Sequence, residues 1–448
     1  MVGAKDPAGG AEPVSGLLRG ALSLGKIPLY RHASALIFST AANGVLGLIY
    51  WILAARLYTT DEVGRGAAGV AALTLVGMLG CTGITPALIR FVPVSGPGTA
   101  RLARSAYAAS ALISLTCGGA FLLATQIFVE SLPIHGLFYL AAVLVWVVFT
   151  LEDGMLIGLR RTGWVPLENV AFGITKITLL VIFSASDSAW GIFASWSLAA
   201  ALVIVPVNIA LFKKFIPDHV AQRAREPDEF ALGEIARFSS GNHLSGLLMV
   251  LPDFLMPLIV LQIEGARETA YFYAAWNLVW PLRLIAANIA NALTAEAAAD
   301  ERELGGLLRR AGVMAAAVFL PLSLMLVLAS HLMLRLLFGG EYASNGEVLV
   351  RFLAPGLVPF AFTSLIVAIA RVRRELLRLL ALAVVSSCVS ISLSISLIFW
   401  VGIEGAGVAW LASQACLALV ALAIWSLHIF DRPAGVRPGQ NIVADTVE

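Results

Sequence analysis

Apolar segments of about 20 residues follow one another along almost the whole sequence, separated by short polar stretches. A helix of about 20 apolar residues spans the hydrocarbon core of a bilayer. The runs are continuous rather than alternating, which favours helices over membrane β-strands. Only 13% of the 448 residues are charged, about half the share in a soluble domain. The sequence therefore predicts an all-α integral membrane protein and excludes a soluble enzyme, a disordered chain and a nucleic-acid partner.

These runs predict twelve transmembrane helices, a number that suits the chain length when the connecting loops are short. Each span is about 22 to 27 residues long. We place the spans at residues 34–57, 66–90, 105–129, 137–158, 164–185, 188–212, 240–262, 270–296, 311–333, 347–369, 377–400 and 405–427.

The distribution of basic residues predicts the orientation in the membrane. With both termini cytoplasmic, the cytoplasmic loops and tails hold 23 of the 30 lysines and arginines. The opposite side holds four, and three fall within spans: Lys176, Arg283 and Arg351. Cytoplasmic loops of membrane proteins carry such an excess of Lys and Arg. Removing one span would reverse half of the molecule and abolish the asymmetry, so the pattern supports the number of spans as well.

A polar segment divides the twelve spans into six and six. Residues 189–205 resemble residues 405–421, and both stretches begin the sixth span of their half. An even number of spans per half makes such repeats parallel. The predicted organisation is a cytoplasmic N-terminal tail (1–33), an N-lobe (34–212), a cytoplasmic linker (213–237), a C-lobe (238–427) and a cytoplasmic C-terminal tail (428–448).

Two cations interrupt the apolar runs near the expected middle of the membrane. Lys176 lies about 18 Å along the fifth span at 1.5 Å per residue, and Arg283 lies at a similar depth in the eighth. A charge at this depth costs a few kcal/mol and rarely faces lipid. One cation in each half indicates a cavity that accepts an anion. The alternative is structural pairing, of Lys176 with Glu168 or Glu152 and of Arg283 with Asp253.

Asp253 and two asparagines extend this polar region. Asp253 lies between Pro252 and Pro257, which are expected to bend the helix and release backbone carbonyls. Such a carboxylate is a candidate proton or sodium site, or the partner of Arg283. Asn288 and Asn291 follow Arg283 on a broad polar face and are candidate substrate-binding residues. Their alternative role is hydrogen bonding between helices.

Two further polar pairs lie nearer the cytoplasmic side. Glu152 and Asp153 point about 100° apart on a helix, so one is expected to face the interior and the other to snorkel or to pair with the Arg160–Arg161 turn. For Glu168 and Asn169 we expect an interfacial cap or ion pair. The six histidines and four cysteines show no metal-ligand spacing, and no phosphate-binding loop is present. The sequence predicts no metal, no cofactor and no enzymatic activity.

Several short motifs resemble bacterial polysaccharide flippases. The loop after the first span contains Glu62 and Gly64, which match the E-x-G of the family's L-x-x-x-E-x-G pattern, and residues 83–91 resemble the G-hydroxyl-x-x-A-hydrophobic-x-R-[FY] end of the second span. Three further stretches resemble the family: residues 270–278 at the opening of the eighth span, residues 337–360 at the loop before the tenth, and residues 402–414 at the opening of the twelfth. The end of the eighth span, ALTAEAAAD, departs from the family's F-P step. The chain is similar to Wzx-like flippases of the multidrug/oligosaccharidyl-lipid/polysaccharide (MOP) exporter superfamily.

This resemblance implies a MATE-like fold of two six-helix lobes around a central cavity. It implies translocation of a polyprenyl-pyrophosphate-linked oligosaccharide across the bacterial inner membrane by alternating access, for lipopolysaccharide or exopolysaccharide synthesis. The partners are then the lipid-linked oligosaccharide, membrane lipids, and possible polymerase and glycosyltransferase proteins. The pyrophosphate would meet Lys176 and Arg283. Three alternatives stay open: a multidrug cation antiporter of the same superfamily, a scaffold without transport, and a membrane glycosyltransferase or ligase.

Overall fold

The computed structural model describes residues 28–128, 136–186, 190–223, 232–299, 304–373 and 375–429, and these ranges contain helices and no β-strand. The predicted all-α membrane fold is confirmed. The helices are α1 (Pro28–Leu57), α2 (Thr60–Cys81), α3 (Ile84–Phe91), α4 (Thr99–Phe128), α5 (Gly136–Gly158), α6 (Trp164–Phe183), α7 (Trp190–Ala210), α8 (Ile216–Gln222), α9 (Leu232–Glu264), α10 (Ala266–Ala299), α11 (Leu304–Leu337), α12 (Gly340–Leu353), α13 (Leu357–Val372), α14 (Leu376–Val401) and α15 (Ile403–Ile429).

Eleven helical segments of the described chain are long and apolar enough to cross a membrane. The one predicted span that is not among those eleven is the eighth, which corresponds to α10, a helix of 34 residues. Its length is ample for a bilayer. Its hydropathy is lowered by the polar face that holds Asn277, Arg283, Asn288 and Asn291. The least apolar long helix is thus the one that carries a predicted functional cation.

The second predicted span is divided, whereas the sequence predicts one helix over 66–90. Helix α2 ends at Cys81, and α3 begins at Ile84. Pro86 lacks a backbone N–H, so it cannot donate to the carbonyl one turn earlier, at Thr82. The hydroxyl of Thr82 donates a hydrogen bond back to the carbonyl of Met78 at 2.6 Å. The break thus lies where the helical hydrogen bonds cannot continue.

The tenth predicted span is divided at a turn that contains a proline. A 3₁₀ turn at Ala354–Gly356, which contains Pro355, separates α12 from α13. The indole N–H of Trp410 donates to the carbonyl of Leu353 at 3.2 Å, beside this turn. A Cβ atom on Gly356 would lie 2.4 Å from that indole nitrogen. Glycine is therefore required there for the Trp410 ring to approach.

The predicted linker, 213–237, is largely helical where it is described. It begins in a π-helical turn at Leu211–Phe215 and continues as α8, and its last six residues belong to α9. Residues 224–231 lie outside the described ranges, as do most of both predicted tails. The boundaries of the two lobes stay predictions.

The two halves of the chain pack against each other through α2, which contacts both α9 and α10. One hydrophobic cluster contains buried residues of both halves, including Trp51 and Val63 with Met256 and Trp276. At Gly64, a Cβ atom would lie 1.7 Å from the carbonyl oxygen of Ala266. The glycine of the L-x-x-x-E-x-G motif therefore permits the start of α2 to lie directly against the start of α10.

Polar contacts join the halves at the same end of the molecule, which we call the closed end. Arg56 donates to the carbonyls of Leu336 and Leu337, at 2.9 and 3.3 Å. A cation is favourable beside the carbonyls at a helix C-terminus. Glu341 accepts hydrogen bonds from Thr60 at 2.9 Å and from Tyr271 at 2.7 Å. The contacts place Arg56 and the C-terminus of α11 together on the side that the charge pattern predicts to be extracytoplasmic.

Candidate functional site

A cavity of about 600 Å³ lies between the two halves of the chain. Helices α1, α2, α5, α6, α7, α9 and α10 contribute to its walls. Along α1, the lining runs from Trp51 back to Ser39, away from the closed end that follows Leu57. On α5 it reaches Ile157, one residue before that helix ends. The cavity therefore extends from beneath the closed end toward the opposite end, which faces the cytoplasm in the predicted orientation.

The cavity walls are mainly aromatic, with a few amide and carboxyl groups among the rings. Trp51 and Tyr273 meet across the halves with ring centroids 4.5 Å apart. Asn43 donates to the side-chain oxygen of Asn169 at 3.3 Å. The amide of Asn277 donates to its own helix at 2.7 Å. The lining aromatic residues are Trp51, Trp146, Phe149, Phe172, Trp196, Phe254, Tyr273, Trp276 and Trp280.

Lys176 lies in this wall, and its ammonium group is surrounded by aromatic rings. Its side chain is 1% exposed. The Nζ atom lies 3.9 Å from the ring centroid of Trp196, 4.8 Å from that of Phe172 and 5.2 Å from that of Tyr50. No carboxylate among the described residues lies within 4.0 Å of it, and the alternative pairing with Glu168 or Glu152 does not form. Cation–π attraction stabilises the ammonium group without neutralising it.

Arg283, unlike Lys176, is paired with a carboxylate. Its two terminal nitrogens donate to the two oxygens of Asp253 at 2.8 and 3.0 Å. Its guanidinium carbon lies 4.6 Å from the ring centroid of Phe360 and 4.8 Å from that of Trp410. Asp253 lines the cavity, whereas Arg283 is not among the lining residues. The predicted pair of midplane cations is therefore asymmetric, because one cation is compensated by a carboxylate and the other is not.

The remaining predicted site residues occupy different places. Asp253 lies in α9, which continues as one helix through Pro252 and Pro257. Asn288 and Asn291 are exposed and are not among the residues that line the cavity. Asn277, on the same helix, does line it. Substrate binding by Lys176, Arg283, Asn288 and Asn291, and ion coupling at Asp253, stay predictions.

Two acidic residues have a different environment from the one predicted. Of the two alternatives, pairing of Glu152 or Asp153 with the Arg160–Arg161 turn does not form among the described residues, where Arg161 lies 3.6 Å from Asp218 of α8. Asp153 lines the cavity. Glu152 is fully buried behind it and accepts a hydrogen bond from the amide of Asn208. Nothing in the local sequence signals this, because Asn208 is 56 residues from Glu152.

By sequence, no protein-family model matches the chain, and no curated protein does. Solved structures do match. An inward-facing multidrug resistance MATE family transporter of the MOP superfamily is 19% identical, with a TM-score of 0.65, over 88% of this chain and 94% of that one. Lipid II flippase MurJ, in an inward closed conformation, is 13% identical, also with a TM-score of 0.65, over 89% of this chain and 87% of the flippase.

A third match is a MOP superfamily transporter from Pyrococcus furiosus, described by the reverse polarity of its binding pocket. It is 17% identical, with a TM-score of 0.58, and the match covers 92% of this chain and 95% of that one. These likenesses cover nearly the whole of each chain. The protein therefore has the multi-pass membrane fold that these transporters share.

Proposed function

We propose that this protein is a flippase that moves a polyprenyl-pyrophosphate-linked oligosaccharide from the cytoplasmic to the outer leaflet of a bacterial inner membrane. The observation that carries the proposal is Lys176, a buried cation in the cavity wall that has no carboxylate within 4.0 Å among the described residues. A membrane protein retains an intramembrane charge mostly for function. A phosphate oxygen can accept a charge-assisted hydrogen bond from the ammonium group. The ligand would thus supply the negative charge that the protein itself does not place there.

The rest of the cavity suits the sugar that follows the pyrophosphate. A sugar ring presents hydroxyl groups around its edge and C–H groups on its faces. Aromatic rings provide flat apolar surfaces for the faces, and the amides of Asn43, Asn169 and Asn277 provide donors and acceptors for the hydroxyls. A volume of about 600 Å³ is in the range of small-molecule sites. It suits the pyrophosphate and its first sugars rather than a whole oligosaccharide.

The arrangement of the halves supports alternating access. This conformation is closed at the end that holds Arg56 and Glu341, and the cavity extends toward the other end. The protein described as Lipid II flippase MurJ shares the fold. In the proposed role the glycan serves cell-surface polysaccharide synthesis, both termini are cytoplasmic, and polymerases and glycosyltransferases are the expected partners.

We expect Lys176→Met to impair flipping while Lys176→Arg retains it. Methionine keeps an unbranched side chain but removes the charge. A hydrogen bond to a charged group contributes about 1.5–3 kcal/mol, so apparent affinity should fall by about 10- to 100-fold. Proteoliposomes loaded with a fluorescent polyprenyl-pyrophosphate oligosaccharide would be assayed by its accessibility to an external quencher. The control is Arg351→Met, which removes a cation of α12 that does not line the cavity.

Each outcome has a distinct meaning. If flipping is lost in Lys176→Met but retained in Lys176→Arg and Arg351→Met, the result supports both the proposed function and the role of Lys176. Flipping that is equal in wild type and Lys176→Met keeps the function and removes this lysine from it. If wild type flips no lipid-linked sugar, the proposed function is wrong.

One observation favours a second function, export of organic cations. The carboxyl groups of Asp153 and Asp253 line the same aromatic cavity, and aromatic rings attract cations. The same vesicles, loaded with a lipophilic cation and given a pH gradient, would distinguish the two functions. Gradient-driven movement of the cation, with no flipping of lipid-linked sugar, would establish the antiporter.

A further inference from the structure

One wall of the cavity changes in character along two consecutive helices, α5 and α6. A short turn joins them, so equal distances from that turn lie at similar depth. Trp146 and Lys176 each lie twelve residues from the turn end of their helix, about 18 Å along the axis. Asp153 and Asn169 each lie five residues from it, about 7.5 Å. All four line the cavity, so the wall has an indole ring and an ammonium group at the deeper level and two polar side chains nearer the turn.

The side chain of Lys176 points back toward this polar level. In a helix the Cα–Cβ bonds tilt toward the N-terminus, and α6 begins at Trp164. Accordingly, the Nζ atom lies 4.8 Å from the ring centroid of Phe172, one turn earlier. Phe172 is three residues from Asn169, or about 4.5 Å along the axis. The ammonium group and the polar level therefore follow each other at a spacing that neighbouring groups of one ligand can cover.

The polar level offers mainly hydrogen-bond acceptors. In the described part of the chain no cation lies within 4.0 Å of the Asp153 carboxyl group, and one of its oxygens is buried without a hydrogen bond. The nitrogen of Asn169 donates to the carbonyl of Val165 at 3.0 Å. The nitrogen of Asn43 donates to the oxygen of Asn169 at 3.3 Å. The hydroxyl of Thr150, which also lines the cavity, donates to its own helix at 2.8 Å. What these groups have left to offer a ligand is chiefly their oxygen atoms.

An acceptor-rich surface selects a ligand group that carries hydrogens. We call Asn43, Thr150, Asp153 and Asn169 the acceptor patch. Phosphate oxygens are acceptors and negatively charged, so they gain little from a carboxyl group or from hydroxyls whose hydrogens are already donated. Sugar hydroxyls carry hydrogens and can donate to each of these oxygens. The pyrophosphate is therefore expected at Lys176, and a ring that bears hydroxyls is expected at the acceptor patch.

We propose that the acceptor patch binds the first sugar of the lipid-linked oligosaccharide and that Asp153 determines which first sugar is accepted. The inference rests on the proposed flippase function and adds to it the order of the ligand along the wall. The pyrophosphate contacts Lys176, and hydroxyls of the first sugar donate to Asp153. Asp253, another carboxyl group of the cavity lining, differs from Asp153 because Arg283 donates to both of its oxygens.

Asp153 is suited to discriminate between sugars because an unpaired acceptor is costly once a ligand excludes water. A site that hydrogen-bonds a substrate hydroxyl rejects an analogue without it far more strongly than an apolar surface rejects a change of size. The aromatic rings of the cavity can pack against the faces of many sugars. Selection among first sugars therefore depends on the acceptor patch more than on the rings.

Flipping of substrates that differ by a single hydroxyl tests this assignment. Proteoliposomes would be given polyprenyl-pyrophosphate that carries glucose, galactose or N-acetylglucosamine, together with the monodeoxy analogues of each sugar. Wild type should flip at least one analogue about 10- to 100-fold more slowly than its parent, the loss expected for a hydrogen bond to a charged group. Asp153→Leu removes both acceptor oxygens at similar volume, so it should flip the parent and that analogue at equal rates.

Two further variants separate recognition of the sugar from a general effect on transport. Lys176→Met should slow the parent and the analogue by the same factor, because both carry the pyrophosphate. Asp218→Asn, which alters an aspartate of α8 outside the cavity lining, should leave the wild-type ratio of rates unchanged. A purely structural role of Asp153 would lower both rates in Asp153→Leu and preserve their ratio.

The outcomes distinguish this assignment from the flippase function itself. A ratio that Asp153→Leu preserves would overturn the sugar assignment and leave the flippase function in place, as would a wild type that flips every analogue as fast as its parent. If wild type flips none of these lipids, the flippase function fails and the sugar assignment fails with it. Should the leucine variant not fold, Asp153→Asn keeps the side-chain volume and one acceptor oxygen. An unchanged ratio in that variant would also overturn the assignment.

Discussion

Replacing Gly64 with valine is expected to prevent the closed end from forming and to shift the protein toward a conformation open at that end. A Cβ atom at this position would lie 1.7 Å from the carbonyl oxygen and 2.6 Å from the carbonyl carbon of Ala266. Both are backbone atoms of the other half of the chain, so no side-chain rotation can relieve the clash. Overpacking costs about 1–3 kcal/mol, so the ratio of closed to open molecules should fall by roughly tenfold or more.

Spin-label distances across the closed end would measure this shift. Leu57 and Leu336 are exposed, lie on opposite halves and flank the Arg56 contacts. Labels would be placed on them in a variant that lacks the four native cysteines. Gly340→Ala is the matched control, since it lies at the same end and a Cβ atom there would meet nothing within 4 Å. Distance distributions that are the same for Gly64→Val and Gly340→Ala would contradict the expected shift.

Removing Arg283 alone is expected to destabilise the protein by about 3–5 kcal/mol, the usual cost of leaving one charge of a buried pair uncompensated. The side chains of Arg283 and Asp253 are 11% and 7% exposed. Arg283→Met would leave the Asp253 carboxylate among aromatic rings without its guanidinium. The double variant Asp253→Leu/Arg283→Met should recover most of the loss, because an apolar pair of similar volume often replaces a buried ion pair at little cost.

Unfolding in detergent, analysed as a double-mutant cycle, would test this expectation. The control pair is Glu347 with Arg351, an ion pair one helical turn apart whose arginine is half exposed. Exposed pairs contribute about 0–1 kcal/mol, so Glu347→Gln should change stability little. Equal losses of unfolding free energy for Arg283→Met and Glu347→Gln would contradict the expected cost of leaving the Asp253 carboxylate unpaired. Equal losses for the single and double variants at Arg283 would contradict the expected rescue.

Much of the architecture can be predicted because membrane insertion depends on local composition. About 20 apolar residues suffice to define a span wherever they occur in the chain, and the helices lie where the apolar runs predict them. Prolines also act locally, so the bend beside Pro355 is predictable. The division of the second span at Thr82–Gly83 was missed, because hydropathy continues across it while the helical hydrogen bonds do not.

The candidate site was predictable in its residue types but not in its pairings. Lys176 and Arg283 attract notice because each is a charge within an apolar run. Nothing along the chain indicates that Arg283 has a carboxylate partner while Lys176 has aromatic rings. Asp153 and Glu168 look like interfacial residues because they are close to the ends of their spans. Only the packed structure shows that Asp153 lines the cavity and that Glu168 is almost fully buried.

The sequence by itself determined that the chain is a multi-pass helical membrane protein, where its helices lie and which charges occur at membrane depth. The tertiary structure decided which end is closed, which cation is neutralised and which carboxyl groups are buried. The physical reason is the range of the interactions. Transfer of a segment into lipid depends on its own residues. Contacts between helices depend on their rotation and close approach, which are decided by packing between residues far apart in the chain, as at Gly64 and Ala266.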